Sequence, residues 1–382
     1  MNARLSDEER LLVEAATNFG QTDVAPHAAA WERDRRVPVQ TLRRAAALGL
    51  TGIQVPKPLG GQGAGFLAKL RIAEELSAHC MAFAFSLINT HNAAAKLARD
   101  GGPALRDRYL PRLLSGELIG ATALSEPGAG SDFAAIATMA RKVDGGWRLD
   151  GEKAWITNAA VADLFIVYAQ TDKAKRGRGI ACFLVDAAAP GFDRRPPFQL
   201  LGGHAIGAGG FQLQDYFVAD DAVIHPPGEA FKAALGSING ARTYVAAMCC
   251  GMLQAALRQA LRYGAERQAF GQPLLGHQGI RWLLADVATD LEAARLLTYR
   301  AADLIEAGAD AVLAASHAKK FAARIAVWRI ADCIQAMGAA GLREEYGLGR
   351  HLNCAKIAHY VDGSTEIQNE RIGALMLAAY GG

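Results

Sequence analysis

Between His359 and Gln368 the chain reads HYVDGSTEIQ, and Asp362 is the group in it with undecided chemistry. Apolar residues precede its carboxylate, while Gly363 and the hydroxyls of Ser364 and Thr365 follow it and open a helix, IQNERIGALML. An acidic or hydroxyl residue at such a position can simply cap the helix, with Glu366 favourable in the first turn. A carboxylate in a water-poor pocket can instead act as a base, because desolvation raises its pKa toward that of a weak carbon acid. The local sequence allows both readings.

A second stretch, LSEPGAGSD, begins like the phosphate-binding G-x-G-x-x-G with Gly128 and Gly130. Phe133 stands where the third glycine belongs, and no strand-turn-helix unit surrounds it, so a dinucleotide fold of that type is not indicated. Six cysteines (Cys80, Cys182, Cys249, Cys250, Cys333, Cys354) show neither C-x-x-C pairs nor histidines at zinc-ligand spacing. They read as reduced core thiols, with no disulfide framework and no metal.

The elements that must position these groups fall into three segments. Residues 1–117 read as helices: Ser6 and Glu9 form a capping box ahead of LLVEAATNFG, and TLRRAAALGL, AKLRIAEELSAH and HNAAAKLARD carry apolar residues at helical spacing. VPKPLGGQGAG reads as a loop between two of them. Residues 118–225 change texture to short β-branched and aromatic runs, DLFIVYAQ, IACFLVD and FQLQDYFV, with GGWRLDGEKAWIT predicted as a hairpin turning at Asp150-Gly151. Residues 226–382 return to helices, and two of the runs are long enough to predict an antiparallel bundle. The fold class is therefore α+β: an N-terminal helical domain, a central β-barrel or sandwich and a C-terminal helical bundle.

At 382 residues the chain can bury a sizeable core, and charged residues interrupt its apolar runs before the length a membrane span needs. The charged opening MNARLSDEER has no signal-peptide core, so a cytoplasmic location is expected. A net charge of +3, scattered rather than striped, gives nucleic-acid binding no support.

Five motifs in order, LSEPGAGSD, AWITN, ERQAFGQPLLGHQ, QAMGAAG and YVDGSTEIQ, lie on this three-part plan. The combination resembles the acyl-CoA dehydrogenase family over essentially the whole chain. The resemblance implies bound FAD, with Leu124 and Ser125 at the flavin's polar edge and Trp155, Ile156 and Thr157 against the ring. It places Arg267, Phe270, His277 and Gln278 at the pyrophosphate and adenosine side, partly across a subunit boundary, with Gln335 and Gly338 completing the cofactor site. Ser364 and Thr365 belong to that site too, and their hydroxyls can still cap the helix. Ser131 is expected at both cofactor and substrate, and Arg242 and Gly363 at the substrate thioester.

In the family the residue at position 362 is usually Glu; it removes the α-proton of an acyl thioester while the β-hydrogen leaves as hydride to flavin N5. Asp362 is one methylene shorter, and Ala241 stands where some relatives carry the base on a helix instead, so Asp362 is the expected base. The backbone N–H of Asp362 and a ribityl hydroxyl would polarise the thioester carbonyl. Other departures are Asn239, Leu201-Gly202-Gly203-His204, Ala339, Asn353-Cys354-Ala355 and Asn369 at positions where the family usually has other residues.

The resemblance implies an acyl-CoA or acyl-carrier-protein substrate, a homotetramer or at least a dimer, and an electron-transferring flavoprotein as acceptor. Two other functions fit the same residues. One is a flavin oxidase similar to nitroalkane oxidase, which has Asp at the base position. The other is a non-catalytic flavin-binding scaffold.

Overall fold

The computed structural model describes residues 5–380; residues 1–4 of the charged opening stretch lie outside them. The N-terminal unit is built from α1 (Asp7–Phe19), α2 (Ala28–Asp34), α3 (Val39–Ala47), α4 (Phe66–Asp100) and α5 (Pro103–Leu114). The capping box forms as its residues dictate: Ser6 Oγ accepts from Glu9 N and the Glu9 carboxylate accepts from Ser6 N. AKLRIAEELSAH and HNAAAKLARD are parts of one element, α4, interrupted at Cys80, whose φ of −156° and ψ of 105° leave the helical region.

The central unit carries β1 (Gly120–Ala123), β2 (Met139–Val143), β3 (Gly146–Ile156), β4 (Leu164–Gln170), β5 (Ile180–Asp186), β6 (Phe192–Arg194), β7 (Gly209–Ala219) and β8 (Val223–His225). They form one mixed sheet in the order β6-β7-β3-β2-β4-β5-β8, with β1 pairing parallel to β4. β4 is buried along its whole length, which explains an apolar run without alternation.

The hairpin is real but turns elsewhere than expected. β2 and β3 join through Asp144-Gly145, with Val143 opposite Gly146. Asp150-Gly151 lies inside β3, at a register shift against β7, where a Cβ on Gly151 would collide with Thr138. The dipeptide marks a bulge there, not a turn.

The C-terminal unit comprises α6 (Ala230–Glu266), a two-stranded hairpin of β9 (Gln268–Ala269) and β10 (Gln272–Pro273), α7 (Gln278–Glu306), α8 (Val312–Met337), α9 (Leu348–Ala358) and α10 (Thr365–Tyr380). The segment 312–342 containing α8 is long and apolar enough to cross a membrane, with a mean hydropathy of 1.2, contrary to the expectation that charges exclude such a stretch. Its apolar face has another use: α8 packs against α6, α7, α9 and α10, and Ala315, Ala322, Ala326 and Ile330 enter the core. α4 also packs on α6, so the N-terminal unit and the bundle share one continuous core.

Candidate active site

Asp362 occupies a turn between α9 and α10 that only packing could define. Its φ is +54° and that of Gly363 is +99°, a left-handed pair that glycine tolerates and aspartate adopts more readily than most residues. Ser364 caps α10: its Oγ accepts from Ile367 N at 3.4 Å and its carbonyl from Gln368 N at 3.1 Å. The Thr365 hydroxyl lies 3.1 Å from His359 Nδ1. Capping is therefore done without Asp362.

Its carboxylate points inward instead. Oδ2 is buried and has no hydrogen-bond partner, while the Tyr244 hydroxyl lies near the carboxyl. Burial pushes the pKa of Asp362 above the ordinary carboxylate value; Lys319, Arg242, Tyr244 and Lys69 hold it down, and burial prevails. The Asp362 N–H has no acceptor among the described residues.

Three buried cations surround this group. Arg242 on α6 is 1% exposed, and donates to the Asp362 carbonyl at 3.4 Å and to Asn239 Oδ1 at 3.3 Å. Burial first, then repulsion from Arg371, lowers its pKa to about 10, against the pull of Asp362. With Asn239 in place of an acid, the guanidinium keeps its charge unmatched by a carboxylate on its own helix. Lys319 on α8 donates to the carbonyls of Gly363 at 3.1 Å and His359 at 3.5 Å, and burial depresses it to about 8. Lys69 on α4 is buried and depressed to about 7, again chiefly by burial. Lys69, Tyr244 and Lys319 escaped the sequence reading because they come from three separate helices.

The two N-proximal motifs meet at the edge of the sheet. Leu124 and Ser125 follow β1, Trp155 and Ile156 end β3, and Ala154 N donates to the Ser125 carbonyl at 3.1 Å. Lys153, fully buried, binds the Leu124 carbonyl at 3.0 Å and Glu126 Oε1 at 2.7 Å. Both Glu126 oxygens also accept backbone donors, from Ala137 and Thr138. The glutamate of LSEPGAGSD thus fixes the loop from inside, and Asn158 of AWITN does likewise by donating to the carbonyls of Ser86 and Gly120.

What this frame presents outward suits a large aromatic cofactor. Trp155 is 62% exposed with a φ of +63°, an unfavourable backbone for a bulky residue, and rests on Phe198 with ring centroids 4.5 Å apart. Ile156 faces the core, and Thr157 is half-buried. The hydroxyls of Ser125 and Thr157 make no hydrogen bond to the described residues. Gly128 and Gly130 border open space, and Ser131 is exposed beside them. Phe133, where a third glycine would stand, has a packing role, stacking on Phe231 with ring centroids 5.4 Å apart.

The C-terminal motifs sit on other elements. Arg267 ends α6, and Phe270 is 97% exposed at the tip of the β9–β10 hairpin with a φ of +50°. His277 supports that tip, its Nε2 3.0 Å from the Ala269 carbonyl, and exposed Gln278 begins α7. Gln335 and Gly338 are exposed at the end of α8, where Gly338 has a φ of +61° and open space beside it. No hydrogen bond among the described residues joins these groups to the Trp155 surface.

Two departures from the family pattern prove to be one contact. Cβ atoms on Gly202 and Gly203 would collide with Asn353 and Ile357 of α9, and Glu32 of α2 accepts from the backbone of His204 and Ala205. Exchange of Leu201-Gly202-Gly203-His204 and Asn353-Cys354-Ala355 therefore alters a domain contact rather than the surroundings of the Asp362 carboxyl. Asn369 and Ala339 are both exposed.

Comparison with known proteins covers the whole chain. Residues 6–117, 121–216 and 228–377 match the N-terminal, middle and C-terminal domains of acyl-CoA dehydrogenase. The human mitochondrial short-chain specific acyl-CoA dehydrogenase is 33% identical over 99% of this chain and 92% of its own. An acyl-CoA dehydrogenase of Bacillus subtilis is 33% identical over 98% of this chain and 99% of its own. Among solved structures, butyryl-CoA dehydrogenase from Megasphaera elsdenii superposes with a TM-score of 0.94 at 32% identity, covering 99% of this chain and all of that one. The FAD complex of PigA gives 0.91 at 29%, over 98% and 99% of the two chains. A structure described as the electron transferring flavoprotein of Acidaminococcus fermentans, in a study of flavin-based electron bifurcation, gives 0.94 at 29%, over 99% and 100%.

Proposed function

The chain belongs to the acyl-CoA dehydrogenase family of FAD-dependent oxidoreductases acting on CH–CH groups, and from that premise we propose that it desaturates an acyl thioester with Asp362 as the base. The observation that carries this reading is the buried, unpartnered Oδ2 of Asp362, left free because Ser364 caps α10. A carboxylate kept from water with its pKa raised is poised to take a proton from carbon.

The residues divide the work. Arg242 and Lys319 hold the backbone of the 359–363 turn, so the carboxyl stays in place while its charge changes. The unused N–H of Asp362 donates to the thioester oxygen and makes the α-proton more acidic. Asp362 takes that proton, the Cα–H electrons become the new C=C bond, and the β-hydrogen departs with its electron pair. FAD, when bound, supplies the acceptor for that hydride. Leu124, Ser125, Trp155, Ile156 and Thr157 hold its ring system, with Ser131 beside both cofactor and substrate and Gly363 giving the thioester close access to the turn.

The exposed tip at Phe270, with Arg267, His277, Gln278, Gln335 and Gly338, serves the cofactor of a second copy. Exposed Trp282, Leu296 and Trp328 on α7 and α8 support such association. Light scattering on the purified holoprotein is expected to return four times the chain mass of 40.5 kDa, and a monomer that retains FAD would remove the second copy from the site.

Coenzyme A is the carrier supported by the relatives named above, and an electron-transferring flavoprotein is the acceptor in keeping with the Acidaminococcus structure. The test is anaerobic bleaching of the bound flavin by a panel of acyl thioesters, offered on coenzyme A and on a carrier protein. Bleaching by a thioester is the expected result. Bleaching only by nitroalkanes, with oxygen consumed on readmission of air, would replace this reading with an oxidase.

A further inference from the structure

Lys69 is the charged group beside Asp362 for which the reaction above has no use. It is 6% exposed, and among the described residues no carboxylate comes within ion-pair distance of it. Its Nζ donates to Asn92 Oδ1 at 2.7 Å and lies 5.7 Å and 5.2 Å from the ring centroids of Phe66 and Tyr244. Asn92 Nδ2 donates to the Tyr244 hydroxyl at 3.3 Å, and that hydroxyl approaches the carboxyl of Asp362. The four side chains make a polar line from the base to a buried ammonium.

An ammonium has three donors, and Lys69 spends one on Asn92. Burying a charge without an ion pair is costly, and two aromatic faces recover only part of that cost. The other buried ionic groups of α4 are matched: Glu74 by Arg71, Arg295 and the Tyr299 hydroxyl, and Lys96 by Asp100. Arg242 and Lys319 hold the turn that carries Asp362, Arg242 through the Asp362 carbonyl and Lys319 through those of His359 and Gly363, with a further Arg242 donor on Asn239. Around the base, then, three cations face one carboxylate, and Lys69, at the far end of the line, is the one that holds no part of the turn. An alkyl chain brought against that ammonium would leave its free donors unpaired in an apolar contact.

We propose that the acyl group carries a carboxylate at its distal end, so that the substrate is a monothioester of a short dicarboxylic acid whose free carboxylate pairs with Lys69. This rests on the thioester reading and goes beyond it by assigning Lys69 as a specificity residue.

The test compares anaerobic flavin bleaching by succinyl, glutaryl and adipoyl thioesters with butyryl and hexanoyl thioesters, each on coenzyme A and on a carrier protein. The holoenzyme is expected to favour one of the diacid thioesters by roughly 10²- to 10⁴-fold in kcat/KM, since a polar group left unpaired in a closed site rejects the analogue that leaves it so. Lys69→Met is expected to collapse that ratio toward one through a rise in KM for the diacid, and Lys69→Arg to retain part of it; flavin content and melting temperature check that both variants fold. Should Lys69→Met fail to fold, the wild-type ratio alone decides. Equal or faster bleaching by butyryl or hexanoyl thioesters would overturn the proposal and leave the dehydrogenase reading standing. No bleaching by any thioester would sink both.

Discussion

Asp362→Asn is expected to yield a folded protein that retains its flavin and reduces it slower than wild type by on the order of 10²- to 10⁴-fold, the usual worth of a positioned base. Asparagine keeps the shape, but it cannot take a proton from carbon. The turn survives because it is held through carbonyls: Arg242 binds that of Asp362, and Lys319 binds those of His359 and Gly363. The wild-type pH profile carries the same signature. Burial raises the Asp362 pKa above its ordinary value, so the group is protonated and idle below that raised value, and the rate climbs as pH passes up through it. Lys69 and Lys319 oppose the rise, so removing either positive charge should move the climbing limb to higher pH. Stopped-flow flavin reduction across pH measures all of this. A substituted enzyme as fast as wild type would return Asp362 to a structural role.

The sequence disclosed the parts of this site that lie in one stretch of chain. Ser6 and Glu9 are three residues apart, so their reciprocal cap could be read directly. Asp362 and Ser364 could be read only as competitors for one cap, and the left-handed turn decides between them by aiming the carboxyl inward. Asp150-Gly151 misled because an Asp-Gly pair satisfies a two-residue turn and a bulge equally well, and only the partner strand distinguishes them. Lys69, Asn92, Tyr244 and Lys319 lie on α4, α6 and α8 and meet only when those helices pack. A signal was nevertheless present. Lys69 stands three residues after Phe66 and four before Ala73, and Lys319 four after Ala315 and three before Ala322, all buried. A lysine in register with the apolar stripe of its own helix is out of place as a solvated charge.

Removing either partner of the Lys153–Glu126 pair should destabilise the protein by about 3–5 kcal/mol, the usual cost of orphaning a buried charge. Lys153 is wholly buried and Glu126 is 5% exposed, so solvent cannot replace the missing partner. Burial is the largest influence on both, and it acts differently on each. It prevails at Lys153, lowering the pKa to about 8 despite the attraction of Glu126. At Glu126 it is outweighed by Lys153 and by the donors of Thr138 and Ala137, which together lower the pKa. A depressed carboxyl contributes stability above its unfolded pKa and loses it as pH falls through the folded value, so the wild type should weaken in acid more steeply than a Glu126→Gln variant. On the proposed cofactor assignment the pair also sets the flavin platform, because Lys153 draws in the Leu124 carbonyl while Glu126 anchors the loop against Ala137 and Thr138. Glu126→Ala is therefore expected to lose FAD during purification as well as stability. The combined Glu126→Leu, Lys153→Met variant separates the two effects. An apolar pair of similar bulk should recover much of the melting temperature, yet the Leu124 carbonyl and the amides of Ala137 and Thr138 lose their partners, so the flavin should remain weakly held. Single variants that melt within about 1 kcal/mol of wild type and stay yellow would show that the platform is fixed by the backbone bond from Ala154 to Ser125 and not by this buried pair.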